Sequence, residues 1–422
     1  MLSTPRPVAS DILSVGIPKL LNGTSMLAAN LLSMRVLDPA AYGRLSFGLA
    51  CLLMFDGLLG SAFDLGAAAL ITDGSLSADA RLRPAEKAAI WLKALLGLAA
   101  LAISAAAGEW LGDRFLHTPG GRSFFLTLSA AGTCVLLLRS AQLYFQARLR
   151  FRLYGATDAA HAALRLLLVG IVLFATSPSP VSILACFAAA PAGVVAACLA
   201  HLRTTAGWTA KPVRRRDFRA LWAAAASPLA TFSVSAVVSR LDIFVAALRG
   251  TAAGLGLYSS ALTLATIPEV LGAYVAPVFL PRILPAQRDG TFPALFRKVN
   301  ARVVLVCAAL LAAGLILGRP LATAFLPVRY GASAGLFLIL LPGTLASASY
   351  FPLTLNFLML RKSKVFLLVD TFAAPALAAA YYFLIPTHGM VAAAWITCLH
   401  RLAKTAAAQS VAARLARDTI RG

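Results

Sequence analysis

Hydrophobic positions in this chain come in long unbroken runs of Ala, Leu, Val and Phe, with neither the alternation of a half-buried strand nor the narrow stripe of a soluble amphipathic helix. Many runs reach the ~20 residues needed to cross hydrocarbon. In lipid the backbone must satisfy its own hydrogen bonds, which leaves helices or closed barrels, and barrel strands would alternate in steps of two. The pattern therefore predicts an all-α polytopic membrane protein with about twelve transmembrane helices. Six fall in the first half, over residues 11–37, 43–71, 88–108, 123–147, 153–175 and a stretch ending near Leu202; six follow, over 218–250, 254–284, 302–317, 333–360, 365–384 and 389–415. Asp38-Pro39 breaks the first span from the second, TSPSP turns the fifth into the sixth, and Pro268, Pro277, Pro281 and Pro285 stud the eighth. Prolines are tolerated there where neighbouring helices or cavity water meet the freed carbonyls.

The longest polar interval lies at the midpoint, HLRTTAGWTAKPVRRRDFR from His201 to Arg219, and it divides the chain into an N-terminal six-helix bundle (1–203), a connector (204–217) and a C-terminal six-helix bundle (218–422). The halves overlay at a shift of about 213 residues, as repeated transporter halves do. Gly43, Leu45, Ser46 and Leu49 then fall on Gly256, Tyr258, Ser259 and Leu262, and Asp56 falls on Glu269. Each half has an even number of spans, so both start on the same side, and the expected relation is a pseudo-two-fold axis along the membrane normal.

Composition agrees: 422 residues, 60% hydrophobic and 13% charged, with mean hydropathy +0.81, leave too little polar surface to cover a soluble globule. A net charge of +22 would indicate a nucleic-acid partner in a soluble protein. Here no loop pairs its charges with a stacking platform, and nucleic acid is set aside. The basic residues gather in alternate loops instead, with 28 of the 38 Lys and Arg on the side of the N-terminus and seven on the other. This asymmetry predicts a multi-pass protein with both termini and the connector in the cytoplasm. An impermeant thiol reagent applied to intact cells is expected to leave a cysteine engineered into the connector unlabelled; efficient labelling would reverse the orientation. The first apolar run lacks a small-residue cleavage site and is read as a retained helix.

Charges inside the spans carry the candidate chemistry, because an ionisable group in hydrocarbon costs at least ~2.5–3.5 kcal/mol and is placed toward protein or a water-filled cavity. Lys19, Asp56, Asp64, Arg165, Arg240, Asp242, Glu269 and Asp370 are the charges that loop placement does not explain. Lys19, Arg165 and Arg240 are the candidate substrate-binding cations; Asp56, Glu269 and Asp370 are the candidate coupling or cavity acids. Arg240 and Asp242 stand two residues apart, about 200° round a regular helix, so they would not share a groove. Snorkelling to the interface competes as an explanation of Lys19, and an inter-helix ion pair competes for Arg165, Asp56 and Glu269. The six cysteines all lie in spans without a Cys-x-x-Cys pair, and the five histidines have no ligand spacing, so neither a metal site nor a cofactor is expected.

Three stretches carry a resemblance. ILSVGIPKLLNG opens the first span, MRVLDPAAYGRLSFGLA leads into the second, and SRLDIFVAALRGTAAGLGLYSSALTLATIPEVLGAYVAPVFLPRI covers the seventh and eighth. Together they resemble the lipid-linked polysaccharide repeat-unit (O-antigen) flippases of the multidrug/oligosaccharidyl-lipid/polysaccharide exporter superfamily. The resemblance implies two six-helix bundles around a central cavity that opens alternately to either side. It implies as substrate an undecaprenyl-diphosphate-linked oligosaccharide, met by membrane lipid, cavity cations and a coupling proton or sodium ion. A guanidinium suits the diphosphate because its planar fork makes paired bonds, which favours Arg165 over Lys19. A cation-coupled multidrug exporter of the same superfamily is the nearest alternative. A membrane-embedded polysaccharide polymerase or ligase is a further one, although the outer loops are short and poor in catalytic groups; no enzyme activity is expected.

Overall fold

The computed structural model describes residues 8–72, 84–205, 213–269, 292–349 and 364–421, and among these every regular element is helical. The elements are α1 (Val8–Val36), α2 (Pro39–Phe55), a π-helical turn (Asp56–Ser61), α3 (Ala62–Thr72), α4 (Pro84–Leu111), a second π-helical turn (Gly112–Leu116), α5 (Gly121–Ala147), α6 (Phe151–Ala175), α7 (Pro180–Thr205), α8 (Arg215–Val238), α9 (Leu241–Arg249), α10 (Ala252–Ala265), α11 (Phe292–Phe325), a 3-10 turn (Val328–Tyr330), α12 (Ser333–Ser349) and α13 (Lys364–Arg421). Among the described residues eight helical stretches are long and apolar enough to cross a membrane. Many of their side chains face outward, as Leu305 and Ile316 of α11 do at 70% and 76% exposure, which in a bilayer is contact with lipid. The chain is thus an all-helical multi-pass membrane protein. Much of the Pro-studded eighth span and the end of the tenth lie outside the described residues.

Two compact units emerge. One comprises residues 1–37 and 44–240, the other 38–43 and 241–422. Helix α8 belongs by packing to the first unit, whereas the division drawn from the sequence opens the second bundle at Phe218. The reason is its small-residue face: Leu221 and Ala225 are fully buried among Phe63, Ala67, Ala88 and Ala89. A Cβ on Gly66 would meet the backbone of Ala225 at 2.9 Å, so this approach needs a glycine. The seventh span is also not one helix. Ser239 and Arg240 form a turn after α8, and α9 starts afresh at Leu241.

The second unit takes in the first turn of α2, which crosses the start of α10 at backbone contact distance. A Cβ on Gly43 would lie 2.1 Å from the Ala252 carbonyl oxygen, and one on Gly256 would lie 1.8 Å from that of Pro39. Gly43 and Gly256 are equivalents at the 213-residue shift, and so are Pro39 and Ala252, so each glycine meets the residue one turn before the other. Other equivalents share their burial: Leu45 and Tyr258, Ser46 and Ser259, Leu49 and Leu262 are all at least nine-tenths buried.

Helix α13 is two arms, 364–388 and 390–421, that meet at Gly389, where φ is +63° and ψ −152°, a backbone state open to glycine alone without strain. The Tyr381 and Thr397 hydroxyls lie 2.9 Å apart although sixteen residues of straight helix would separate them by ~24 Å, so the arms fold back on each other as the break predicted before Gly389 requires. Between helices, hydroxyl pairs such as Ser104–Ser129 (2.7 Å) and Ser260–Ser333 (2.7 Å) supply polar contacts suited to lipid, where apolar burial alone drives little association.

Candidate functional site

The first unit contains a polar seam where α1, α5 and α6 meet. On α6, Tyr154, Asp158, His161 and Arg165 recur at steps of four, three and four, which lines them along one face. All four are buried. On α1 the matching face carries Lys19, Asn22 and Ser25. The helices come close because residue 155 is a glycine: a Cβ there would stand 2.0 Å from the Ser14 carbonyl oxygen.

Arg165 is fixed by α1. Its Nη2 donates to the Asn22 carbonyl (2.7 Å), to Asn22 Oδ1 (2.9 Å) and to Ser25 Oγ (3.1 Å), while the Ser25 hydroxyl donates in turn to the Ala162 carbonyl (2.8 Å). At 5% exposure the side chain is enclosed. Lys19 is half-buried, with Nζ 5.6 Å from the centroid of the Tyr154 ring, a spacing that admits a cation–π contact. Among the described residues no carboxylate lies within 4 Å of it.

Helix α5 adds a paired arginine. Arg139 donates from Nε and Nη2 to the two carboxylate oxygens of Asp56, at 3.1 and 2.9 Å. Its Nη1 reaches Gln142 Oε1 at 3.5 Å, and Gln142 Nε2 donates to Asp158 Oδ1 at 2.7 Å. Asp56 opens the π-helical turn, a local departure from the regular ladder of α2 and α3.

Arg139 was not among the sequence candidates. A linear count assigns it to the basic link after α5, as it assigns Lys93, Arg148, Arg401 and Lys404 to theirs, but four of the five lie within helices, Arg148 lies in the turn that closes α5, and each holds an acid. Asp64 pairs with Lys93, Glu86 with Arg148 (2.5 Å), Glu269 with Arg401 (2.6 Å) and Asp370 with Lys404 (2.6 Å). Asp56, Glu269 and Asp370, the three acids singled out from the sequence, are therefore all ion-paired. Asp158 was missed altogether, although its three-residue step to His161 and seven-residue step to Arg165 are legible on any helical wheel.

In the second unit Asp242 is 4% exposed and takes hydrogen bonds from Tyr258 Oη (2.5 Å) and from the Ile243 N–H (2.8 Å). The Tyr258 hydroxyl also meets Thr397 Oγ1 (2.8 Å), which meets Tyr381 Oη (2.9 Å). No basic group lies within 4 Å of Asp242 among the described residues. Arg240 sits half-buried in the turn between α8 and α9, so the spacing argument that assumed a regular helix through Arg240 and Asp242 does not apply. Among the described residues no group of His, Cys, Asp and Glu could hold a metal ion.

No family model matches the chain, and no curated protein matches it. Solved structures do. A multidrug-resistance MATE family transporter of the MOP superfamily, in its inward-facing conformation, superposes with a TM-score of 0.77 at 12% identity, covering 97% of this chain and 98% of the other. The lipid II flippase MurJ, in an inward closed conformation, gives 0.77 at 11% identity over 93% and 86%. A MOP superfamily transporter from Pyrococcus furiosus, described as having a binding pocket of reverse polarity, gives 0.60 at 11% over 96% and 95%. The chain has the fold these transporters share, along its whole length.

Proposed function

We propose that a transporter of this fold here acts as a flippase, moving undecaprenyl-diphosphate-linked oligosaccharide repeat units from the cytoplasmic to the outer leaflet of the bacterial inner membrane, by alternating access, for export of a surface polysaccharide. The observation that carries the proposal is the sign of the polar seam. Three cations, Lys19, Arg139 and Arg165, stand against two acids, Asp56 and Asp158. An excess of positive charge within apolar helices favours an anion and disfavours an organic cation. A lipid diphosphate needs such help, since its charge and its sugar hydroxyls must leave water to cross hydrocarbon. The fold is shared with a lipid II flippase and with multidrug exporters alike, so the charge of the site, not the fold, separates the two. The protein performs no chemistry on its cargo in this proposal.

With Asp56, Glu269 and Asp370 already paired, we assign a coupling proton or sodium ion to Asp242, whose carboxylate has only a phenol and a main-chain N–H as donors among the described residues. Deleting the gene is expected to stop polymer export while lipid-linked repeat units accumulate on the cytoplasmic leaflet. Unpolymerised units already on the outer leaflet would point to a polymerase instead. Normal polymer with altered tolerance to organic cations would point to multidrug export.

A further inference from the structure

We propose that Arg139 is an anion-binding position for a phosphate group, and that Asp56 is its resident counter-ion, occupying the guanidinium until a phosphate displaces it. The naming of the phosphate as the diphosphate of a lipid rests on the flippase reading above. The anion site itself does not.

Several features distinguish this pair from the other ion pairs that tie separate helical segments together. The Arg139 side chain is 40% exposed, while the paired cations Lys93, Arg148, Arg401 and Lys404 are 0%, 6%, 18% and 22% exposed. A cation held only to neutralise a buried acid has no need of that access. The fork geometry matters too. Asp56 takes Nε and Nη2 side by side, the same paired arrangement a guanidinium offers to two phosphate oxygens. Among the described residues the third nitrogen, Nη1, has only the 3.5 Å approach to Gln142 Oε1, at the limit of a hydrogen bond. Gln142 is turned that way because its amide nitrogen is committed to Asp158.

The carboxylate in turn rests on a place made for it. A Cβ at Gly60 would lie 2.6 Å from Asp56 Oδ1, so the carboxylate lies against a residue with no side chain, inside the π-helical turn. π-turns recur at functional positions because their extra residue is a local irregularity the helix can take up or release. Phosphate, with more charge and more acceptors than one carboxylate, competes well for the fork.

The test is binding of farnesyl diphosphate, inorganic pyrophosphate and tetraphenylphosphonium to the purified full-length protein in detergent, with thermal unfolding as the check on folding. Asp56→Asn, which removes the resident anion and keeps its shape, is expected to tighten farnesyl diphosphate binding by about tenfold or more, the scale of one charge-assisted hydrogen bond. Arg139→Gln is expected to weaken it by a similar factor and to cancel the gain in the Asp56→Asn background. Should Asp56→Asn not fold, Gly60→Ala keeps every charge and crowds the carboxylate from beneath, with tightening again expected. Unchanged or weaker binding in a folded Asp56→Asn or Gly60→Ala protein overturns the counter-ion proposal, and unchanged binding in Arg139→Gln overturns the anion site. If pyrophosphate binds as tightly as farnesyl diphosphate through Arg139, the site stands and the lipid-linked cargo falls. If tetraphenylphosphonium binds and Arg139→Gln strengthens it while farnesyl diphosphate does not bind, both fall.

Discussion

Alanine at position 256 is expected to lower the unfolding temperature of the purified protein sharply and to reduce its abundance in the membrane. The new Cβ would lie 1.8 Å from the Pro39 carbonyl oxygen and 2.7 Å from its carbon, both backbone atoms with no rotamer to move away. The two helices must separate by more than an ångström, at a cost of at least ~1–3 kcal/mol by the usual scale of overpacking. Gly43→Ala meets the same obstacle from the other side, 2.1 Å from the Ala252 oxygen. The double variant should cost much less than the sum, because once one methyl has parted the helices the second finds room. Gly335→Ala is the control: nothing lies within 4 Å of its Cβ, so the better helix propensity of alanine leaves it neutral or slightly stabilised. Wild-type melting by Gly256→Ala would mean that the crossing is looser than described.

The second large effect concerns Glu86 and Arg148, whose side chains are only 3% and 6% exposed. Glu86→Gln leaves a guanidinium that cannot shed its proton, still stacked 3.7 Å from the Tyr144 ring centroid, without its countercharge. Removing one partner of a buried pair costs ~3–5 kcal/mol, so the variant should express poorly and melt early. Glu86→Gln combined with Arg148→Met should recover most of that loss, since the desolvation penalty of both ions disappears together. If the double variant is as unstable as the single one, the pair is not a self-contained unit and its neighbours depend on the arginine itself.

Span positions were legible in the sequence because hydropathy over a window of twenty residues is a bulk property that survives scattered charges. The break before Gly389 was legible too, since helix punctuation is local. Pairing was not. A basic residue at the end of an apolar run looks like a loop charge in a linear count, and Arg139, Lys93 and Arg401 all read that way; only the packing of α4, α5 and α13 shows that acids wait for them. The π-helical turn at Asp56 left no mark either, because one additional residue in a helix changes neither composition nor mean hydropathy. Taking five residues out of the loop count leaves ~23 basic residues against seven, so the predicted orientation keeps its basis.

The glycine crossing also bears on how such a chain could arise. A contact in which position 43 meets 252 and position 256 meets 39 is isologous in form, the pattern by which two identical subunits meet across a dyad. A half-length ancestor carrying this one stretch could have made the contact with a second copy of itself, and one glycine in its gene would have served both sides. After fusion the two sites mutate independently, yet neither can accept a side chain while the other helix stays in place. Each glycine therefore depends on the other, because a side chain at either position parts the same two helices.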